Sequence, residues 1–192
     1  MADTSKIDFK KIAVEMFSII FAVMLALGIE DWMQDRERDD RAALMMERIT
    51  AEVQNNRDEL KKAIADNNKF AEGLKKALRK ENTIFEDVSP FIQMSAGSIN
   101  NSAWSSAQMT NVITYMPIET VGQLASLYDT QSYYTKFAQG FIQGFADYSV
   151  GVQQPDQMKM VTKKFITNLM IMNSLASNIV DGYDTFLSER KS

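Results

Sequence analysis

Histidine and cysteine are both missing from this chain of 192 residues. Without histidine it lacks the commonest general base, the usual partner in a nucleophilic triad and the commonest metal ligand. Without cysteine it has no disulfide, no thiolate nucleophile and no cysteine-based zinc or iron–sulfur site, an absence equally at home in the cytoplasm and the periplasm. Proline is scarce, with three residues, and glycine is held to eight, so long stretches contain nothing that breaks a helix. Basic charge is in the minority: 21 Lys and Arg stand against 25 Asp and Glu, a net charge of -4. No basic cluster offsets that balance, which argues against a nucleic-acid binder. Long apolar runs are also rare, and the one that exists is Met16 to Ile29, fourteen consecutive positions without a charge.

That run reads as a membrane anchor. Extended back to Ile12 it covers eighteen residues with one charge, Glu15, or about 27 Å of helix against a hydrocarbon thickness of ~30 Å. Trp32 falls where an interfacial aromatic belongs, and Lys10 and Lys11 can snorkel at the other end. A cleaved signal peptide ending near Ala26-Leu27-Gly28 and a buried soluble helix are the competing readings; Glu15, which interrupts the start of the apolar region, opposes the first. The expectation is an uncleaved span. Within it Glu15, Ser18, Ala22 and Ala26 stand at i, i+3, i+7 and i+11, one acid and three small residues on one helix face. Such a face suits close approach by another transmembrane helix. Equally open is the plainer reading, in which Glu15 lies near the interface and pairs with Lys11 at i,i+4.

Beyond the span the pattern is helical throughout. Met46, Ile49, Val53, Asn56, Leu60, Ala63, Asn67, Phe70, Leu74 and Ala77 hold a 3,4 rhythm with two polar members. Met45, Ile64, Ala71 and Leu78 widen the stripe beyond a two-stranded seam, which favours a bundle. Between Trp32 and this stripe, residues 34–41 carry mixed charge, as a solvated stalk would. The helix should end near Lys80 to Thr83, with an irregular link from Ser89-Pro90 to Ser98. A shorter helix capped by Ser98 or Asn101 follows, carrying Trp104, Met109, Val112 and Ile113, until Tyr115-Met116-Pro117 breaks it. Ile118 to Val150 forms a helix with an aromatic face, in which Gly140 and Gly144 suggest close packing. The last helix runs from about Asp156 to Glu189. Its uncharged stretch Phe165 to Val180 reads as a bundle helix and not a second span, because Asn168, Asn173 and Asn178 interrupt it. Alternating strand patterns are missing. The expected fold is all-α: an N-terminal transmembrane helix continuing into a long heptad-patterned helix, packed in a bundle of about three to four helices. Residues 1–32 would be the anchor, 33–45 the charged stalk and 46–192 the bundle domain.

No motif for catalysis, cofactor or metal emerges. Asp129, Asp147, Asp156, Asp181 and Asp184 are scattered, and a Glu-x-x-His diiron motif needs a histidine. Ser102, Ser105 and Ser106 have no visible activating base, and Lys75 and Lys76 have no phosphate loop. Phe137, Phe141 and Phe145 have the spacing of a core stripe or of an apolar pocket wall.

The apolar run closing on Glu30-Asp31-Trp32, the Arg-rich stalk, the helix bearing Ile49, Glu52, Asn56 and Leu60, and later Ala103-Trp104 and Leu127-Tyr128 resemble small uncharacterised proteobacterial single-span membrane proteins. The resemblance covers the first 60 residues best. It implies an inner-membrane protein with an N-terminal anchor, and it brings no site residues with it. Two functions are therefore expected: a non-catalytic accessory, scaffold or assembly subunit of an inner-membrane complex, or a periplasmic ligand-binding sensor with an apolar aromatic pocket. The first calls for lipid and other membrane-protein subunits, or a second copy, as partners and for no cofactor. Positive charge is nearly balanced across the span, Lys6, Lys10 and Lys11 against Arg36, Arg38 and Arg41. A short basic N-terminus before a long domain then favours a cytoplasmic N-terminus with residues 33–192 periplasmic.

Overall fold

A computed structural model describes residues 9–81, 83–149 and 154–190. These residues form five α-helices and no strand: α1 Phe9–Ala77, α2 Phe85–Val88, α3 Ser102–Met109, α4 Ile118–Ser149 and α5 Pro155–Ser188. Two 3₁₀ turns, Ser89–Phe91 and Val112–Tyr115, lie between them. The helix ends follow local chemistry. Where α1 stops, the buried Thr83 hydroxyl donates to the carbonyls of Ala77 at 3.2 Å and Lys80 at 3.1 Å, supplying partners the helix itself cannot. Asn111 adopts a left-handed conformation, φ 56°, just past α3, a role its short polar side chain tolerates. Pro155 opens α5 at a position where its missing N–H is not needed.

Residues 1–44 and 45–192 form two separate compact units, and α1 contributes to both. In the first unit every residue from 12 to 37 is exposed. Among the described residues α1 is the one helix long and apolar enough to cross a membrane.

In the second unit most of the heptad stripe of α1 is buried, with Ile49, Val53, Asn56, Leu60 and Leu74 wholly inaccessible and Met46 and Phe70 half-buried. Leu124 and Tyr134 of α4 and Leu169, Met172, Ile179 and Tyr183 of α5 are buried with them. Each such apolar side chain contributes about 1.5–3 kcal/mol relative to exposure. The uncharged stretch of α5 is amphipathic in place: Leu169, Met172 and Ala176 are buried while Met170 and Ile171 are exposed. Gly140 and Gly144 do not serve close packing within the chain, because a Cβ at either would meet nothing within 4 Å. The close approaches are elsewhere. A Cβ at Gly73 would lie 2.2 Å from the Phe91 ring, and one at Gly182 would lie 2.7 Å from Leu127 Cδ2.

Candidate functional site

On α1, Glu15, Ser18, Ala22 and Ala26 occupy one face, an arc of about 80° at roughly 100° per residue, and all four are exposed. Around them stand twelve large apolar side chains, from Ile12 at 42% exposure to Phe17 at 71%. Phe17 and Phe21 stack at 6.4 Å on the same helix. Trp32 is also exposed, with the Arg36 guanidinium 5.7 Å from its ring centroid. Lys10 and Lys11 lie in α1, and their side chains fall outside the described residues. Past Trp32, Arg38–Asp35 and Arg41–Glu37 form exposed pairs at i,i+3 and i,i+4, each contributing a few tenths of a kcal/mol.

The second unit carries polar chemistry that its helical periodicity only hinted at. Asn56 and Asn67 are buried on one stripe of α1 and act as clamps for the extended chain that precedes α3. The Asn56 amide donates to Asn100 O at 2.7 Å and accepts from Asn100 N at 3.0 Å. Asn67 treats Ser95 the same way, at 2.8 Å and 2.7 Å. The match is dimensional. Eleven residues of helix rise about 16 Å and five residues of extended chain span about the same, so two amides three turns apart meet the chain at Ser95 and Asn100, running antiparallel to α1. Gly97 turns this strap with φ +70°, and its backbone lies close enough that a Cβ would be 3.2 Å from Glu59 O. Tyr134 donates to Ala96 O at 3.0 Å, holding the strap from α4.

Glu52, four residues before Asn56, is the hub of a second cluster. Its Oε2 accepts from the Ala103 amide at 2.8 Å and the Ser102 hydroxyl at 2.9 Å, and its Oε1 accepts from the Tyr128 hydroxyl at 2.6 Å. Asn101, the residue preceding α3, makes no capping bond with its side chain. The Glu52 carboxylate takes that place, satisfying an amide and opposing the positive helix end. Ser102 therefore does meet a carboxylate, one already committed to a backbone amide and a phenol. Trp104 stacks on Tyr128 at 5.6 Å and 4°. Burial first, then the bond to Glu52, pushes the Tyr128 hydroxyl far above its ordinary pKa of 10.0. Burial likewise raises Tyr183, whose hydroxyl donates to Gln131 Oε1, and holds Tyr134 at about 12. Gln131 Nε2 completes the link by donating to Asn100 O at 2.9 Å. Asn173 of α5 joins Asn67 at 3.1 Å.

A cavity of about 340 Å³ is walled by Phe85, Ile92, Phe145, Met158, Val161 and Phe165. Ser89 and Thr162 are the polar residues on its wall. Phe145 meets Phe165 edge-on at 4.6 Å, and Phe141 packs on Phe165 at 5.0 Å. Of the aromatic stripe only Phe145 reaches the cavity; Phe141 is core, and Phe137 is half-buried away from it. Among the described residues no three carboxylates converge as a metal site would require.

These features define a class: an all-helical chain whose first helix exposes an apolar face along one unit and carries the buried polar clamps of the other. No family model, curated protein or solved structure matches this chain.

Proposed function

We propose that this protein is a non-catalytic, membrane-anchored accessory, scaffold or assembly subunit of a bacterial inner-membrane complex. The observation that carries the reading is the exposed apolar segment of α1. Twelve large apolar side chains lie between Ile12 and Ile29, all uncovered. The ten that are Ile, Leu, Val or Phe contribute about -0.3 to -0.6 kcal/mol each on an insertion scale, roughly -3 to -6 kcal/mol together, which matches or exceeds the ~3 kcal/mol that an acid costs even at the bilayer centre. Glu15 lies near one end of the segment, where the cost is smaller. Lys10, Lys11 and Trp32 sit at the two interfaces, and the charged pairs around residues 35–41 form a stalk in water.

Residues 46–192 form a soluble helical bundle, residues 33–192 lie in the periplasm, and the N-terminus is cytoplasmic. The bundle's polar groups act as construction: Glu52 holds α3, Asn56 and Asn67 hold the strap, and each uses its bonding capacity on the chain itself. Partners are bilayer lipid and other membrane-protein subunits, or a second copy, approached through the Glu15, Ser18, Ala22, Ala26 face. Protease added to spheroplasts tests the orientation: degradation of the bundle is expected, and full protection with the membrane intact would reject it. The double substitution Ala22→Leu, Ala26→Leu tests the contact face. Insertion should persist while the detergent-extracted assembly loses partners, because bulk at those positions blocks helix approach. An assembly unchanged in size and composition would reduce the anchor to a tether.

A further inference from the structure

Thr162 is where the molecule leaves chemistry unspent. Its side chain is 1% exposed, and its Oγ1 is the one buried side-chain polar atom among the described residues without a hydrogen-bond partner. Other helical threonines behave differently. Thr50, Thr130, Thr135, Thr167 and Thr185 all donate to the carbonyl four residues back, at 2.8 to 3.0 Å. Leaving a buried hydroxyl unbonded costs on the order of 1–3 kcal/mol, and Thr162 stands on the wall of the 340 Å³ cavity. A threonine in a helix has two accessible χ1 wells, and the one adopted here leaves the hydroxyl unbonded on a residue of the cavity wall.

The cavity is large, and its wall is mostly apolar. An engineered apolar cavity of about 150 Å³ stays empty of water and takes up benzene, and this one has more than twice that volume. Its wall combines the Phe145–Phe165 pair with Ile92, Met158 and Val161, and includes no ionisable side chain. A charged ligand would give up hydration against this wall with no counter-charge on it. A neutral one would not.

We propose that this cavity binds a small, neutral, largely apolar molecule carrying one hydrogen-bonding group, which Thr162 Oγ1 engages while Phe145 and Phe165 pack on its apolar body. The assignment is independent of the membrane reading, since every wall residue belongs to the second unit.

The test uses the full chain, solubilised and labelled with ¹³C at its methionine methyl groups, because Met158 reports on the wall itself and separates binding from partition into detergent. 1-Naphthol is the probe, with naphthalene lacking the hydroxyl and 1-naphthoate carrying charge. Expected is a saturable shift of the Met158 methyl with naphthol and with naphthalene, and none with naphthoate. Thr162→Val, nearly the same shape, should weaken naphthol about three- to tenfold and leave naphthalene unchanged. Val161→Trp should abolish both shifts while the remaining methyl signals keep their positions, which shows the fold intact. Wild-type protein whose Met158 signal does not move with either neutral probe, or moves equally in Val161→Trp, overturns the site. Binding of naphthoate as tight as naphthol overturns the ligand class, and a Thr162→Val protein with unchanged naphthol affinity overturns the role of the hydroxyl.

Discussion

Asn56→Asp replaces one side chain by another of the same shape and reverses one polarity. Asn56 is wholly buried, and its amide nitrogen faces two acceptors, Asn100 O at 2.7 Å and Gln131 Oε1 at 3.3 Å. A carboxylate there keeps the bond from Asn100 N but turns a donor into a charged acceptor against both oxygens. An uncompensated buried charge costs about 3–5 kcal/mol. At about 2–4 °C per kcal/mol for a chain of this size, the melting temperature at pH 7 should fall by roughly 6–20 °C. The deficit must depend on pH. Protonated, the new carboxyl can donate to Asn100 O, so the folded state raises its pKa above the unfolded value of about 3.9. The deficit is then small below about pH 4, grows as pH rises through the folded pKa, and is complete above it. Asn56→Leu is the control: it removes all three bonds without adding charge and should cost about 1–3 kcal/mol at every pH. Circular dichroism melts of the solubilised chain between pH 4 and 7.5 measure both. A deficit for Asn56→Asp below about 2 °C at pH 7, or one that stays flat with pH, would refute the clamp as a buried donor.

Gly140→Ala and Gly144→Ala add methyl groups into open space and should each stabilise α4 by up to about 1 kcal/mol, seen as a higher denaturant midpoint with an unchanged slope. Gly97→Ala should destabilise by about 1–2 kcal/mol in the same assay, because φ +70° is costly for a side-chain-bearing residue and Glu59 O lies 3.2 Å away. Ser102→Ala should cost little, about 1 kcal/mol, whereas Glu52→Ala should cost more, about 3 kcal/mol, since it strands the Ala103 amide and the Tyr128 hydroxyl together. Alkaline titration followed at 295 nm should find Tyr128, Tyr134 and Tyr183 silent while the fold lasts. Their folded pKa values are raised above 10.0, so stability is full below pH 10 and declines above it; early ionisation of all six tyrosines without loss of helix would contradict the burial.

What the sequence determined by itself is periodic and local. A helix repeats every 3.6 residues, so the largely buried stripe from Ile49 to Ala77, the starts of α4 and α5 near Pro117 and Pro155, and the apolar segment of α1 were all legible from spacing and from helix-breaking residues. Asn56 and Asn67 were visible as polar members of an apolar stripe, without their purpose. Only the tertiary structure decided that purpose, because their partners Asn100 and Ser95 lie 44 and 28 residues away along the chain. Glu52 entered only as one residue of a resemblance, without a role, and its donors come from 50 to 76 residues downstream. The glycines show the same division: the G-x-x-x-G spacing at Gly140 and Gly144 suggested contact where the fold leaves space, while Gly73 and Gly182 lie against Phe91 and Leu127. Thr162 carried no signal at all in the sequence. An orphaned hydroxyl is defined by what surrounds it, and residues as far apart as Phe85 and Phe165 surround that cavity only once the chain has folded.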